Sequence, residues 1–169
     1  MKGVFRGAFN RVLALAARFL PGATSLRPWL HRLRGVKIHG RVFIGDDVYL
    51  DNEYPESIEI HDGAQICLRS VLVAHTRGPA KIIIGRHAFV GAGSLITAAS
   101  GSVLQVGDGS VITAGSVISS SVPAQTVVGL QKAKPLAHAS VPLTMNTTYQ
   151  AFLDGLRPLQ RKQRSKTGS

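Results

Sequence analysis

A six-residue repeat of aliphatic side chains runs through the middle of this chain and restricts its possible folds more than any other feature. The repeated positions are Ile38, Ile44, Leu50, Ile60, Ile66, Leu72, Ile84, Val90, Ile96, Val106, Ile112, Ile118 and Ala124. The fifth position of a hexad is usually small or β-branched, as at Ala64, Ser70 and Ser94. A β segment that turns every six residues forms one side of a triangular coil, with the aliphatic side chain inside and the small residue at the corner. Three sides close a coil, and the next coil stacks about 4.8 Å away.

The repeat therefore predicts an all-β solenoid, a left-handed parallel β-helix, because one coil cannot bury its own core and several must stack. We expect residues 35–130 to form this domain. Residues 1–34 are expected to be helical and basic, with an amphipathic helix over 3–20 and a second helix over 26–33. Residues 131–169 are expected to form a linker, a short helix over 146–160 and a basic disordered tail.

The register breaks after every third hexad. Extra residues fall at 56–59, 78–83 and 102–105. Since a coil has three sides, the three insertions are predicted to project from the same edge of the prism. Loops on one edge of a rigid scaffold are a common place for function.

The distribution of charge limits the classes of binding partner, and the cysteine content excludes two kinds of structural site. The net charge is +11, yet residues 1–41 hold nine Lys/Arg and no Asp/Glu, whereas residues 42–128 carry a net charge of −4. Basic ends suit an anionic membrane surface, or they are simply solvated. Nucleic acid is not expected, since no recognised motif or aromatic interleaving accompanies the charge. The single cysteine, Cys67, excludes an internal disulfide framework and a multi-cysteine zinc site.

The basic N-terminal segment, residues 1–34, has two possible roles. It can cap the open end of the solenoid, or its amphipathic helix can lie on a membrane surface. No apolar run reaches the roughly 20 residues of a membrane span. Arg6, Arg11 and Arg18 interrupt what would be the apolar region of a secretory signal. We therefore expect a cytoplasmic protein, with the inner face of the membrane as a possible place of attachment.

Three stretches resemble the hexapeptide-repeat acyltransferases. They are LDNEYPESIEIHDGAQICLRSVLVAH at 50–75, IIIGRHAFVGAGSLI at 82–96 and VGDGSVITAGSVISSSVPAQTVVG at 106–129. In style the chain is most similar to the maltose, galactoside and polysaccharide O-acetyltransferases, over about residues 35–136. The resemblance implies acetyl-CoA as donor and a hydroxyl of a sugar, polysaccharide or lipid-linked glycan as acceptor. It also implies a homotrimer whose active sites lie between neighbouring prisms.

His75 is the candidate catalytic residue. It stands at the end of a coil side, directly before an insertion, in VLVAHTRG. It also matches the catalytic histidine of the family that the chain resembles. A histidine near its ordinary pKa can take the proton of an acceptor hydroxyl while that oxygen attacks the thioester carbonyl. The alternative is a surface histidine without a role.

Asp51 is the second candidate, because stacking should bring it within one or two strand spacings of His75. Its carboxylate would bind acceptor hydroxyls or orient the imidazole, and it matches the acceptor-binding Asp of the family. A solvated turn aspartate is the plain alternative. Glu53 is a rival for acceptor binding, since it occupies the hexad place of His75 one coil earlier.

The resemblance also suggests a donor site. Small residues on the later coils, Ala92 and Ala114, match positions along which a pantetheine arm lies. Lys134 is the candidate contact for a CoA phosphate, with Lys132 as its substitute. Two departures weaken these assignments: Ser119-Ser120 stands where the family has Thr-Lys, and the usual Gly-x-Pro-Ala-Lys is replaced by GLQKAK.

Two other functions are weighed on the same fold. A γ-type carbonic anhydrase needs three histidines around zinc, and no two histidines here have that family's five-residue spacing, so no metal is expected. A non-catalytic scaffold would make His75 incidental. The other five histidines are interpreted as structural or solvent-facing: His31, His39, His61, His87 and His138.

Overall fold

The computed structural model describes residues 4–76, 78–130 and 134–159. The chain divides into two units, Met1–Leu130 and Gln131–Ser169. The first unit contains two helices followed by a solenoid of about four turns, and the second contains a short hairpin and one helix.

The solenoid has three parallel sheets. The first sheet contains β1 Lys37–Ile38, β4 Ile58–Ile60, β7 Lys81–Ile84 and β10 Val103–Val106. The second contains β2 Phe43–Ile44, β5 Gln65–Ile66, β8 Phe89–Val90, β11 Val111–Ile112 and β13 Val127–Val128. The third contains β3 Tyr49–Leu50, β6 Val71–Val73, β9 Leu95–Thr97 and β12 Val117–Ile118. Successive strands of the chain belong to different sheets, which confirms the predicted left-handed parallel β-helix.

The repeat stacks as predicted through most of its length. Ile60 pairs with Ile38 on one side and with Ile84 on the other, and Val106 continues the same column. Ten of the repeat's aliphatic side chains are buried: Ile44, Leu50, Ile60, Ile66, Leu72, Ile84, Val90, Ile96, Val106 and Ile112. Burial of each such side chain contributes roughly 1.5–3 kcal/mol, which makes this narrow column the main source of stability.

The last hexad differs from the prediction, which placed Ala124 inside. Ala124 is exposed, whereas Val122 is buried and bridges to Val106. The final coil is therefore shorter than the earlier ones. Ile112 accordingly pairs with Val128, 16 residues later, instead of 22 or 24. Val122 thereby stacks on the buried Val106 and closes the top of that column.

The insertions also differ in part from the prediction. The segments 56–59, 78–83 and 102–105 are not wholly loops, because each contributes residues to a strand of the first sheet. Ile58, Ile82 and Leu104 stack on one another and are buried. The extra residues lengthen the strands and place these apolar side chains inside the solenoid. Their burial stabilises the fold, whereas in a projecting loop they would be exposed to water.

The remaining loops do share one edge, at which the third sheet leads into the first. We call it the loop edge and define it as residues 51–57, 74–80 and 98–102, of which residue 77 is not described. The 51–57 loop contains a 3-10 turn, Pro55–Ser57.

The two N-terminal helices are α1, Val4–Phe19, and α2, Leu26–Leu33, close to the predicted ranges. The helices pack on each other, α1 packs on β3, and α2 packs on β1 and β2. Arg18 binds Asp47 at 2.5–2.7 Å, and Arg27 donates to the carbonyl of Ile44 at 3.2 Å. Within the described residues, no helix has the length and apolar character needed to cross a bilayer.

The second unit has its own small fold. Strand β14, Ala137–Ala139, pairs antiparallel with β15, Leu156–Pro158, and α3, Tyr149–Asp154, lies between them in the chain. The helix predicted over 146–160 covers only Tyr149–Asp154, and Leu156–Pro158 form a strand instead. Thr148 begins α3 by accepting from the backbone N–H of Ala151 at 3.2 Å. The predicted disordered tail, residues 160–169, lies outside the described residues.

Candidate active site

The loop edge brings Asp51 and His75 into contact. Leu50 and Leu72 are paired on β3 and β6, so the segments that follow these strands leave the third sheet one coil apart. Asp51 follows β3 directly, and His75 comes two residues after β6. Nδ1 of His75 is hydrogen-bonded to Oδ2 of Asp51. The register of the repeat thus places the two predicted residues side by side.

The carboxylate of Asp51 is fully buried and satisfied by the backbone around it. Oδ2 also accepts from the N–H of Ala74 at 2.8 Å, while Oδ1 accepts from Glu53 at 2.9 Å and Tyr54 at 3.2 Å. Burial alone raises the pKa of Asp51, but the hydrogen bonds from His75 and these three N–H groups outweigh it and hold the pKa below its ordinary value. Asp51 is therefore an ionised, fixed acceptor at neutral pH.

The ring of His75 is fixed on one side and open on the other. Because a carboxylate only accepts, Nδ1 carries the proton in the neutral ring and Nε2 carries a lone pair. Among the described residues, no hydrogen bond reaches Nε2. The side chain is 33% exposed, and the ring of Tyr54 lies 5.9 Å away at 49°. Such a histidine can accept a proton at Nε2 from a molecule bound at the loop edge.

A buried arginine supports the loop that carries Asp51. The side chain of Arg34 donates through Nη2 to the carbonyls of Leu50 and Asp51, both at 3.0 Å, and to Oδ1 of Asn52 at 2.5 Å. Burial lowers the pKa of Arg34 to about 10, although Tyr49 and Asp51 counteract it. The guanidinium stays charged at neutral pH and holds the backbone on both sides of the Asp51 peptide.

His31 completes this buried chain of contacts. Nδ1 of His31 lies 2.9 Å from Nη1 of Arg34, and the histidine is 1% exposed. Burial, together with the adjacent charge of Arg34, lowers the pKa of His31 to about 3. His31 is therefore neutral in the folded protein and accepts a hydrogen bond from Arg34.

Glu53, the rival candidate, is placed in the same loop as Asp51 but points elsewhere. Its carboxylate is 57% exposed and lies 3.3 Å from Nη2 of Arg11 on α1. Its backbone N–H serves the Asp51 carboxylate. Glu53 thus stands beside the Asp51–His75 pair without contributing its side chain to it.

Two of the candidate donor residues, Ala92 and Ala114, lie on another edge of the prism. Ala92 and Ala114 occupy the corner between the second and third sheets on successive coils, and the N–H of Gly115 donates to the carbonyl of Ala92 at 2.8 Å. Lys134 belongs to the second unit and is exposed, and Lys132 lies outside the described residues. The structure therefore brings Asp51 and His75 together, whereas Ala92 and Ala114 lie at a different corner of the same prism.

Sequence reasoning did not single out Arg34 or His31. Both lie in a segment whose charges suggested a solvated or membrane-facing surface, and no local pattern distinguishes them from Arg32. Their burial depends on the end of α2 packing against the first coil, which is a tertiary contact. Tyr54 occupies the fifth position of the hexad that begins at Leu50, where the repeat usually has a small or β-branched residue, and its ring lies 5.9 Å from that of His75.

Comparison with known proteins does not assign the chain to a family. No profile of a known protein family matches the chain, and no curated protein matches it. Among solved structures, the chain is similar to serine acetyltransferase isoform 3 from Entamoeba histolytica in complex with cysteine, at 16% identity and a TM-score of 0.34. The similarity covers 86% of this chain and 51% of that one, so the chain spans about half the length of that enzyme. Neither the identity nor the TM-score is high enough to assign an activity.

Proposed function

We propose that this protein is an acetyl-CoA-dependent O-acetyltransferase that modifies a hydroxyl of a sugar, a polysaccharide or a lipid-linked glycan. The observation that carries the proposal is the pairing of His75 with the buried carboxylate of Asp51 on the loop edge. A histidine held by a carboxylate, with its second nitrogen open to solvent, is the arrangement needed to activate a hydroxyl nucleophile. The motifs at 50–75, 82–96 and 106–129 add the resemblance to hexapeptide-repeat O-acetyltransferases.

In the proposed reaction, Nε2 of His75 takes the proton from the acceptor hydroxyl while its oxygen attacks the thioester carbonyl of acetyl-CoA. The resulting tetrahedral intermediate collapses, the C–S bond breaks, and the imidazolium returns the proton to the CoA sulfur. The products are the O-acetyl ester and free CoA, so atoms and charge balance. Asp51 keeps the ring in the reactive tautomer and stabilises the transient imidazolium.

The donor would be bound with help from a second copy of the chain. Ala92 and Ala114 lie on a different edge from His75, so one prism alone does not bring them close to an acceptor hydroxyl bound at His75. A homotrimer would set the loop edge of one prism against the alanine-bearing edge of its neighbour. In this arrangement the small side chains would leave room for the pantetheine arm. Lys134 remains the candidate contact for a CoA phosphate. Asp51 is assigned to orienting His75, because its oxygens are occupied, and Glu53 remains the candidate for acceptor hydroxyls.

A peripheral contact with the membrane forms part of the same proposal. The outer face of α1 and α2 exposes Phe9, Val12, Phe19 and Trp29, each more than half exposed. The same segment carries an excess of Lys/Arg and no Asp/Glu. An apolar helical face with a basic border suits the interface of an anionic bilayer, where a lipid-linked acceptor would be found.

Acetyl transfer by two His75 variants tests the proposed function. The purified chain is incubated with acetyl-CoA and a panel of sugars and lipid-linked glycans, and CoA release is followed together with acetylation of the acceptor. His75→Ala and His75→Asn are each expected to lower kcat about 10²–10⁴-fold with an acceptor that the wild type uses. The amide nitrogen of His75→Asn can still donate to Asp51, so loss of activity there reflects the missing base.

His87→Asn is the matched control. His87 is exposed and has φ of 53°, a backbone conformation that Asn tolerates well, so this variant should keep full activity. Full turnover by both His75 variants would exclude His75 as the general base. Absence of acetyl transfer by the wild type across the panel would reject the proposed function itself.

A further inference from the structure

Three potential metal ligands lie together on the outer face of the first sheet, away from the loop edge. Glu59 is the middle residue of β4, and its buried neighbours Ile58 and Ile60 point inwards. Alternation along the strand therefore places Glu59, and His61 two residues later, on the outside. His39 follows β1 and is stacked one coil from His61, with the N–H of His39 donating to the carbonyl of Ile60 at 2.9 Å.

The donor atoms of these three side chains converge. Oε1 of Glu59 lies 3.0 Å from Nε2 of His39 and 3.4 Å from Nε2 of His61. One potential ligand atom from each of the three side chains lies within 4.8 Å of the other two. Metal–ligand bonds of about 2.0–2.2 Å in tetrahedral geometry put ligand atoms roughly 3.3 Å apart. Two of the separations already match this value, and a small rotation of one imidazole would bring in the third.

The surroundings hold the ligands in place. The two imidazole rings are stacked, with centroids 4.9 Å apart and an interplanar angle of 22°. Nζ of Lys81 lies 2.7 Å from Oε2, which leaves Oε1 directed at the histidines. The hydrogen bond from Lys81 is the main reason that the pKa of Glu59 lies below its ordinary value, against a smaller opposing effect of burial. The carboxylate is thus ionised at neutral pH, as a metal ligand must be.

We propose that His39, Glu59 and His61 form a binding site for one divalent transition-metal ion of the zinc class. Two imidazole nitrogens and one carboxylate oxygen favour Zn²⁺, Ni²⁺ or Cu²⁺ over Mg²⁺ or Ca²⁺, which prefer all-oxygen ligands. The side chain of His39 is 54% exposed, so the fourth position opens to solvent and takes water or an exogenous ligand. The site lies on the first sheet, whereas the Asp51–His75 pair follows strands of the third, so the two are separate.

The spacing explains why the sequence alone did not predict this site. A search for histidines five residues apart finds none, but His39 and His61 are 22 residues apart, which is one coil at this level of the solenoid. Glu59 joins them through the two-residue repeat of a strand. Stacking converts a long separation in sequence into contact between neighbouring side chains.

Zinc binding by the full-length chain tests the proposal. Any purification tag is removed, the protein is freed of metal with EDTA, and Zn²⁺ is titrated in competition with a chromophoric chelator. One Zn²⁺ per chain is expected. His39→Gln, His61→Gln and Glu59→Gln should each weaken binding by about tenfold or more. Co²⁺ substitution should give the intense visible bands of a four-coordinate site, and these bands should vanish in His39→Gln/His61→Gln.

Two controls keep the result specific. His138→Gln removes an exposed histidine of the second unit and should leave zinc affinity unchanged, and far-ultraviolet circular dichroism checks that each variant is folded. His39 is the most exposed of the three ligands, so His39→Gln is the variant least able to act through misfolding. Equal zinc affinity of the wild type and the double variant would overturn the proposal, as would failure of the wild type to bind zinc.

Discussion

Nδ1 of His75 is hydrogen-bonded to a carboxylate oxygen of Asp51, and this carboxylate is buried from solvent. Sixteen to 24 residues of chain form each coil, yet the stacking of β3 and β6 brings these two side chains together at the loop edge. The contact fixes which nitrogen of His75 carries the proton, and with it the direction in which the ring can accept another.

Asp51→Asn is expected to abolish most of the activity while leaving the fold intact. The Asn amide cannot accept from His75 and from the three backbone N–H groups at once, so one orientation opposes Ala74 and the other opposes Glu53 and Tyr54. An Asn nitrogen facing His75 would place the imidazole proton on Nε2 and remove the base. We expect kcat to fall about 10²–10⁴-fold and the free energy of unfolding to fall by about 1–3 kcal/mol.

Steady-state kinetics and urea unfolding measure these two effects of Asp51→Asn. Asp108→Asn is the matched control, since Asp108 is exposed and accepts from a single backbone N–H, that of Arg86, at 2.8 Å. It should leave kcat unchanged. A fully active Asp51→Asn protein would show that the carboxylate does not set the tautomer of His75.

The hexad repeat alone was enough to predict the fold and the proximity of Asp51 and His75. Both predictions depend on counting residues along coils of nearly constant length, which the sequence displays directly. The error at Ala124 arose because the last coil is shorter, and a constant period cannot reveal where a corner is tightened. The burial of Arg34 and His31 was not predicted, because it depends on how α2 packs on the solenoid.

The neutral His31 is expected to make the fold sensitive to mild acid. The pKa of His31 is about 3 in the folded protein, against an ordinary value of 6.5. Below about pH 6.5 the imidazole of His31 binds a proton in the unfolded chain but not in the folded protein. The contribution of neutral His31 to the free energy of unfolding is therefore full above that pH and decreases as the pH drops towards 3. One such proton changes the free energy of unfolding by about 1.4 kcal/mol per pH unit.

His31→Gln isolates this effect, because the Gln side chain can accept from Arg34 but does not titrate. Urea unfolding at pH 7, 6 and 5 should show the wild type losing about 2 kcal/mol more than His31→Gln between pH 7 and pH 5. The comparison stays above the range in which most carboxylates titrate. Parallel loss of stability in the two proteins would mean that His31 is protonated in the folded state.

Two glycine substitutions should change stability in opposite directions. A Cβ at Gly91 would lie 2.7 Å from the carbonyl oxygen of Ile112 on the next coil, and backbone there cannot move aside cheaply. Gly91→Ala is expected to lower the free energy of unfolding by about 1–3 kcal/mol.

Gly7, within α1, has nothing within 4 Å of its added Cβ. Gly7→Ala should therefore raise stability by about 0.5–1 kcal/mol through helix propensity. Urea midpoints measure both changes, and a harmless Gly91→Ala would show that adjacent coils stack less tightly there.

Membrane attachment through the helices is expected to depend on both apolar area and charge. Phe9 and Phe19 on α1 are 56% and 71% exposed, so Phe9→Ser/Phe19→Ser removes apolar surface without opening the core. The wild type should float with vesicles of phosphatidylcholine and phosphatidylserine, less with phosphatidylcholine alone, and less again as salt screens the basic segment. The double variant should remain largely in the soluble fraction.

Leu136→Ser is the matched control, because Leu136 is 91% exposed and lies in the second unit. This variant should float like the wild type. Equal flotation of the double variant and the wild type would assign α1 to capping the solenoid alone.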